Sequence, residues 1–429
     1  MNPYLYFPRD GSFSGFREEI LAENVIAVDT ETTGLDPNSD SLRLIQIAVF
    51  GKPVFVLDML LCDDADRNAV AEILMAPSIK IFQNAKFDIQ FLYASGFETG
   101  GRIFDTMLAA QLLKTPEGPA RFGLDSISSF FLGAAVSKEE QTSGFDGELR
   151  EAQIEYSARD ASVLLELRSV MAPALVSNGL ADIASIEFQC TRAVAEIESF
   201  GILLDIDRWN ILTDETREIC GQAESRLFKH AGSRIVQPDF FGSETTIGIN
   251  LNSNKQVLDL LHDNGINVAD TSKAALSPYR NEPLVRDLQE YRKATKMLGG
   301  FLEPMPSFIN PATGRIHANY SQIGASSGRM SCWGPNMQQI PRDASFRECF
   351  IPSTGNSLVI ADYSQIELRV AAQIARDEMM IEAYRNGGDL HKLTASLITG
   401  TPIESVTKKQ RQAAKAVNFG LIFAMGARG

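Results

Sequence analysis

The stretch VIAVDTETTGLD, residues 25–36, decides the fold. VIAV is a short continuous apolar run, the reading of a strand buried on both faces. Asp29 and Glu31 follow, and the two-residue period of a strand sends both side chains to one side. Two carboxylates held close repel each other unless cations lie between them, so the pair points to hard divalent metals bound through oxygen. LRLIQIAVF (42–50) and PVFVLDML (53–60) come next, with turn residues between them. They give three early strands, expected as neighbours in one sheet. Helical patterns follow around 66–75, 86–95 and 105–113, and IEYSARDASVLLELRSVM (154–171) reads as a longer helix. Pro173 and the Asn178-Gly179 pair are expected to break it, with a boundary near 180.

Three further residues join the first two acids. Asp88 lies in NAKFD (84–88), at the start of a helical pattern, and Tyr156 and Asp160 stand four apart on one helix face. Four acids without a partnering Lys or His describe a two-metal site for phosphoryl transfer to water, with Tyr156 placed to orient that water. Each piece alone has a plainer reading: a solvated D-x-E pair, a helix N-terminal charge at Asp88, a packed ring at Tyr156. Taken in order, VDTETTGLD, NAKFD and YSARDA resemble the three motifs of the DEDD-type 3′–5′ exonucleases, in the subclass with tyrosine in the third motif. The resemblance covers most of residues 20–175. It implies an RNase H-like αβα domain with two Mg²⁺ or Mn²⁺ ions, held by Asp29, Glu31, Asp88 and Asp160, and a DNA contact at Asn84.

Composition sets outer limits. The chain has 429 residues, room for two to three domains at about 150 residues each. No apolar run reaches the ~18 residues of a membrane span, and MNPYLYFPRDG lacks a signal-peptide layout. Five scattered cysteines make a disulfide framework or thiolate zinc site unexpected, and a reducing cytoplasm fits. Net charge is −14, which argues against coating nucleic acid by charge alone. The balance is uneven: residues 1–180 hold 14 Lys and Arg against 26 Asp and Glu, while the remainder holds 26 against 28. After Glu404 come five cations and no acid.

The second half reads as mostly helical from about 183 to 300, with strand-like sequence at 315–323 and 358–362 and helices near 365–376 and 408–423. The segment 358–362 is expected to be a buried strand delivering Asp362 to its end. Ser364 with Glu367, and Thr407 with Gln410, have the spacing of helix capping boxes. Arg411, Lys415 and Phe419 recur every four residues on one face, which suits a triphosphate with a sugar or base beyond it; a solvated basic face with one core Phe has the same spacing.

GRIHANYSQIGASSGRMSCWGPNMQQIPR (314–342), DYSQIELR (362–369), GGDLHKLTA (387–395) and RQAAKAVNFG (411–420) resemble, in order, palm and fingers segments of family A DNA polymerases. EFQCTRAVAEIESFGILLD (187–205), NSNKQVLDLL (252–261) and YRKATKM (291–297) resemble that family's thumb. The resemblance implies three regions of a right-hand polymerase with its proofreading nuclease: exonuclease at 1–180, a helical thumb at 181–310, and incomplete palm and fingers at 311–429. Asp362 would bind metal, Glu367 would exclude ribonucleotides, and His391, Arg411, Lys415 and Phe419 would hold a deoxynucleoside triphosphate. Arg329, Asn336 and Gln338 would contact primer–template. Phe423, Ala424 and Gln339 depart from the family's usual Tyr, Gly and Asn, and 341–350 is short, as in phage versions. The later His-Asp-Glu palm motif does not follow.

The expectation is therefore a complete exonuclease site and half a polymerase site. A separate chain carrying the rest of the palm would complete synthesis, in a cell's nucleoid or a phage-infected cytoplasm. The alternatives are a stand-alone 3′–5′ exonuclease whose second half only binds primer–template, and an inactive remnant.

Overall fold

The computed structural model describes residues 3–8, 12–114, 118–119, 121–133, 144–232, 236–238, 244–246 and 249–422. Phe423 and Ala424 lie outside them. Two compact units result, Met1–Asn356 and Ser357–Gly429.

The first unit is built on a six-stranded sheet. Its strands are β1 (Tyr4–Phe7), β2 (Val25–Thr32), β3 (Leu42–Ala48), β4 (Val54–Asp58), β5 (Ile79–Phe82) and β6 (Arg102–Asp105), in the order β1-β4-β3-β2-β5-β6. The three strands expected from the sequence are neighbours, with β3 antiparallel to both β2 and β4. β5 and β6 extend the sheet in parallel with β2, and β1 lies parallel to β4. Every residue of β3 and β4 is buried, as continuous apolar runs require when helices cover a sheet. The helix Glu151–Ser177 lies across β2, β3 and β4 and the helix Ala85–Ala94 packs on β2 and β5, giving the expected mixed α/β architecture. Ile26, Ala27, Val28, Ile45, Ile47, Ala161, Leu164 and Leu167 share one core.

A mostly helical region follows. The long helix Ile206–Ala231 packs with Asn254–Asp263 and Pro283–Met297 around Val257, Leu261, Val285 and Leu288. Trp209 anchors a further core with Leu302, Met305, Ile316 and Phe346, and its indole N–H donates to the Leu302 carbonyl at 2.8 Å. No helix of the described residues is long and apolar enough to cross a membrane.

Three local expectations are corrected. Pro173 does not end its helix, which runs on to Ser177 and stops at Asn178-Gly179. Burial of Met171 and Leu175 on either side of the proline holds the last turn in place against the lost N–H bond. The segment 358–362 is not a buried strand: Val359 and Ile360 are about nine-tenths exposed, and no strand of the described residues pairs with it. An apolar β-branched run becomes a strand only where a neighbouring strand takes its backbone N–H and C=O groups. Ser364 does not cap the following helix either. Gln365, at φ 55°, occupies the N-cap of Ile366–Ala375 without a side-chain cap bond, so the box is one residue out of place. The Thr407–Gln410 box does form, with reciprocal bonds of 2.9 and 3.2 Å.

Candidate active site

Asp29 and Glu31 leave the C-terminal end of β2 on one face, as the strand period requires. Asp88 comes from the first turn of Ala85–Ala94 and is 2% exposed. Tyr156 and Asp160 come from one face of Glu151–Ser177, the phenol near enough to the carboxylate for each to shift the other's titration. The four acids are electrostatic neighbours: Asp29 feels Asp88, Glu31 and Asp160, and Glu31 feels Asp160 and Asp88.

Burial is the main reason these groups resist ionising, and like charge adds to it. Asp29 and Glu31 keep part of their surface open to solvent, yet protein surrounds them closely enough to dominate their titration. Asp29 is pushed well above the ordinary carboxylate range by burial, then by Asp88, Glu31 and Asp160. Glu31 is raised to about 8 by burial, then Asp160 and Asp88. Asp88 also reaches about 8 through burial, although the Thr30 hydroxyl donates to its Oδ1 at 2.7 Å and pulls the other way. Asp160 rises to about 6 through burial, tempered by Tyr156 and by Arg159. Burial first, then Asp160, raises the Tyr156 phenol as well, so it stays a proton donor.

Sequence reasoning missed two supports of this cluster. Thr30, between the two strand acids, reaches Asp88. Asp105, at the end of β6, is 1% exposed and accepts the N–H groups of Ala85 at 2.8 Å and Asn84 at 3.3 Å, which fixes the helix start that carries Asp88. Its signal was present: an acid just before a helix, where it also caps Met107 and Leu108. Asn84 itself sits in the left-handed region at φ 59°. Beside it opens a cleft of about 600 Å³, lined by Leu35, Asn84, Lys86, Phe308, Tyr320 and Trp333 among others.

The donor set suits hard divalent cations. All four groups are carboxylates, Asp29 and Glu31 are raised by the others, and Asp160 Oδ1 is buried without a hydrogen-bond partner among the described residues. Among the described residues, no three His, Cys, Asp or Glu side chains are gathered tightly enough to form a finished coordination sphere.

The second group of candidate residues divides. In the second unit His391, Arg411, Lys415 and Phe419 come together between the helices Leu390–Thr399 and Lys408–Ile422. The His391 and Phe419 rings lie 5.9 Å apart, and the Lys415 ammonium is 5.8 Å from the Phe419 ring. Asp389 and Asn418, both missed from sequence, brace the group: Arg411 Nε donates to Asp389 Oδ2 at 2.7 Å, and Asn418 Nδ2 lies 3.0 Å from His391 Nδ1. Burial holds His391 below its ordinary pKa, and Arg411 and Lys415 push the same way against Asp389. Asp362 and Glu367 are exposed. In the first unit, Asn336 caps Gln338 N–H at 3.2 Å and Gln338 Nε2 donates to the Met330 carbonyl at 3.2 Å. The Arg329 carbonyl accepts from Gly324 and Ala325, so one braced loop carries all three candidates.

Comparison with known proteins agrees with both halves. The family profile for DNA polymerase family A matches residues 226–429, and that for 3′–5′ exonuclease matches residues 11–175. DNA polymerase I of Aquifex aeolicus is 33% identical over 424 residues, covering 94% of this chain and 69% of that protein. This chain belongs to the family A DNA polymerases. DNA polymerase I of Pseudomonas aeruginosa is 32% identical over 444 residues, 97% of this polymerase chain and 48% of that protein. The chain thus spans about half the length of that relative. Among solved structures, the POL domain of Pol1 from M. smegmatis, in complex with DNA primer-template and dNTP, superimposes with a TM-score of 0.80 at 25% identity. The match covers 99% of this family A chain and 72% of the other.

Proposed function

We propose that this family A polymerase chain removes nucleotides from the 3′ end of DNA at the cluster of Asp29, Glu31, Asp88 and Asp160. The observation that carries the reading is that four carboxylates from three separate segments share one buried neighbourhood, Asp29 being pushed up by Asp88, Glu31 and Asp160, and Glu31 by Asp160 and Asp88. Mg²⁺ or Mn²⁺ held there would lower the pKa of a water molecule and offset charge building on the phosphate. The chain's own residues do the rest. Asp29 and Glu31, on a strand, and Asp160, on a helix, present oxygen ligands from rigid elements, and Asp88 completes the set. Tyr156 keeps its proton beside Asp160, and its phenol oxygen orients the water. The cleft beside Asn84 takes the single-stranded end, with Leu35, Phe308 and Trp333 offering apolar surface to its bases.

In this reading the nuclease occupies 1–180, a thumb 181–310, and palm and fingers 311–429. Arg411, Lys415, His391 and Phe419 take the triphosphate and sugar of a deoxynucleotide, Glu367 screens its sugar, Asp362 holds metal, and Arg329, Asn336 and Gln338 grip primer–template. The exposed setting of Asp362 favours a second reading for this half, binding of primer–template without synthesis. The deciding experiment incubates the chain with 5′-labelled single-stranded DNA and Mg²⁺ or Mn²⁺. Shortening from the 3′ end is expected in the parent and absent in Asp29→Ala and Asp160→Ala; undiminished activity in both variants removes the assignment. Added primer–template and deoxynucleotides then separate extension from binding alone.

A further inference from the structure

β3 carries one anomaly. In the row Leu42, Leu44, Gln46 and Ala48, Gln46 alone is polar, and it is 0% exposed. Neither its Oε1 nor its Nε2 has a hydrogen-bond partner. An amide buried unpaired is expensive, and a strand otherwise made of Leu, Ile and Ala, with Arg43 paired to Asp58, would accept an aliphatic residue there without that cost.

The register shows where the amide sits. Across the antiparallel pair, Gln46 is directly opposite Asp29, Leu44 opposite Glu31, and Ala48 opposite Ala27. Directly opposed residues send their side chains to the same face with Cβ atoms about 5 Å apart, within the length of a glutamine side chain. That face carries Asp29 and Glu31 and interacts with Tyr156 and Asp160. An unpartnered donor and acceptor therefore lie beside the carboxylate that couples to all the others.

We propose that Gln46 is a positioning residue for Asp29: its amide N–H, unpartnered in this structure, turns to donate to the Asp29 carboxylate when a divalent cation binds and fixes the orientation in which that carboxylate takes it. The proposal rests on the nuclease reading above and adds a residue outside its acid and tyrosine motifs. Carboxylates that ligate metals are themselves hydrogen-bonded from behind, and loss of such a partner costs about 10–100-fold in metal affinity. A residue that only fills space would leave that affinity alone.

The test is a Mn²⁺ titration of the whole chain, read by calorimetry or electron paramagnetic resonance, with thermal melting alongside. Gln46→Leu, and Gln46→Met as the unbranched control, are expected to bind Mn²⁺ about 10–100-fold more weakly at the site that Asp29→Ala removes. Their melting temperatures should be equal to or above the parent's, since a buried amide has been taken out. In an Asp29→Ala background the same change at Gln46 should do nothing more. A folded Gln46 variant whose Mn²⁺ affinity stays within twofold of the parent overturns the proposal, and so does unfolding of both variants, which would make the residue structural. If Asp29→Ala leaves Mn²⁺ binding and DNA hydrolysis intact, the nuclease reading fails and this proposal falls with it.

Discussion

Thr30 donates its hydroxyl to Asp88 at 2.7 Å, reaching from between the two strand acids to the acid of a different element. One strand thus places Asp29 and Glu31 on one face while its intervening residue holds the Asp88 carboxylate in position. Thr30→Val keeps the shape and removes the donor. It is expected to destabilise the fold by about 1–3 kcal/mol, as loss of a hydrogen bond to a carboxylate does. DNA hydrolysis should drop about tenfold or more through misplacement of Asp88, by analogy with lost outer partners at metal sites. Urea unfolding and a 3′-end digestion assay read the two effects separately.

Tyr156→Phe should shift a pH profile as well as a rate. Tyr156 lowers the Asp160 pKa, which burial nevertheless holds at about 6. Without the phenol Asp160 protonates at higher pH, so the acidic limb of hydrolysis against pH should move upward. A variant with reduced rate and an unmoved limb would show that the phenol does not act through Asp160.

Stability of the cation-free chain should fall as pH rises. Asp29, Glu31 and Asp88 all have folded pKa values raised above their unfolded ones, the latter two to about 8. Between about pH 4 and 8 the folded state therefore holds more protons than the unfolded chain, and stability declines by about 1.4 kcal/mol per pH unit for each extra proton. Melting in chelator from pH 5 to 8 should show this slope, Asp88→Asn should flatten part of it, and Mg²⁺ should restore stability most at the upper end. A flat profile in chelator would contradict the burial of these acids.

Asp389 has two roles that two substitutions separate. Its Oδ1 caps His391 and Lys392 N–H at 2.9 and 3.2 Å, while its Oδ2 accepts from Arg411. Asp389→Asn keeps a good cap and weakens the ion pair; Asp389→Ala loses both and should cost a further ~1 kcal/mol. If Arg411 needs Asp389 to be aimed, deoxynucleotide binding should weaken in both variants. Weakening in Asp389→Ala alone would assign the effect to the helix start.

Much of this arrangement was legible in the sequence. Long apolar runs such as VIAV and VFVLD announced the buried strands, because no other element presents several consecutive apolar residues to two covered faces. β1, β5 and β6 are four residues each, too short for a period to show, and their neighbours complete them. The 358–362 run failed for the opposite reason: its composition is that of a strand, while pairing is a property of the sheet. The four acids could be grouped from local motifs, and Asp105 betrays itself locally as a helix cap, but Thr30 reaches Asp88 across 58 residues and Asp105 reaches Ala85 across 20. Spacing along the chain carries no trace of those longer contacts.

Glu198 joins three distant segments. It is 5% exposed, pairs with Lys86 at 2.7 Å, accepts from Gln90 at 2.8 Å and takes the Tyr320 N–H, while the Lys86 ammonium also reaches the Tyr320 carbonyl at 2.7 Å. Glu198→Ala strands a sheltered ammonium and should cost about 3–5 kcal/mol. Because that clasp ties the Asp88-bearing helix to the strand Asn319–Ser321, the two share one sheltered ionic joint, and whatever cuts the joint should loosen the footing of the acid as well as the fold.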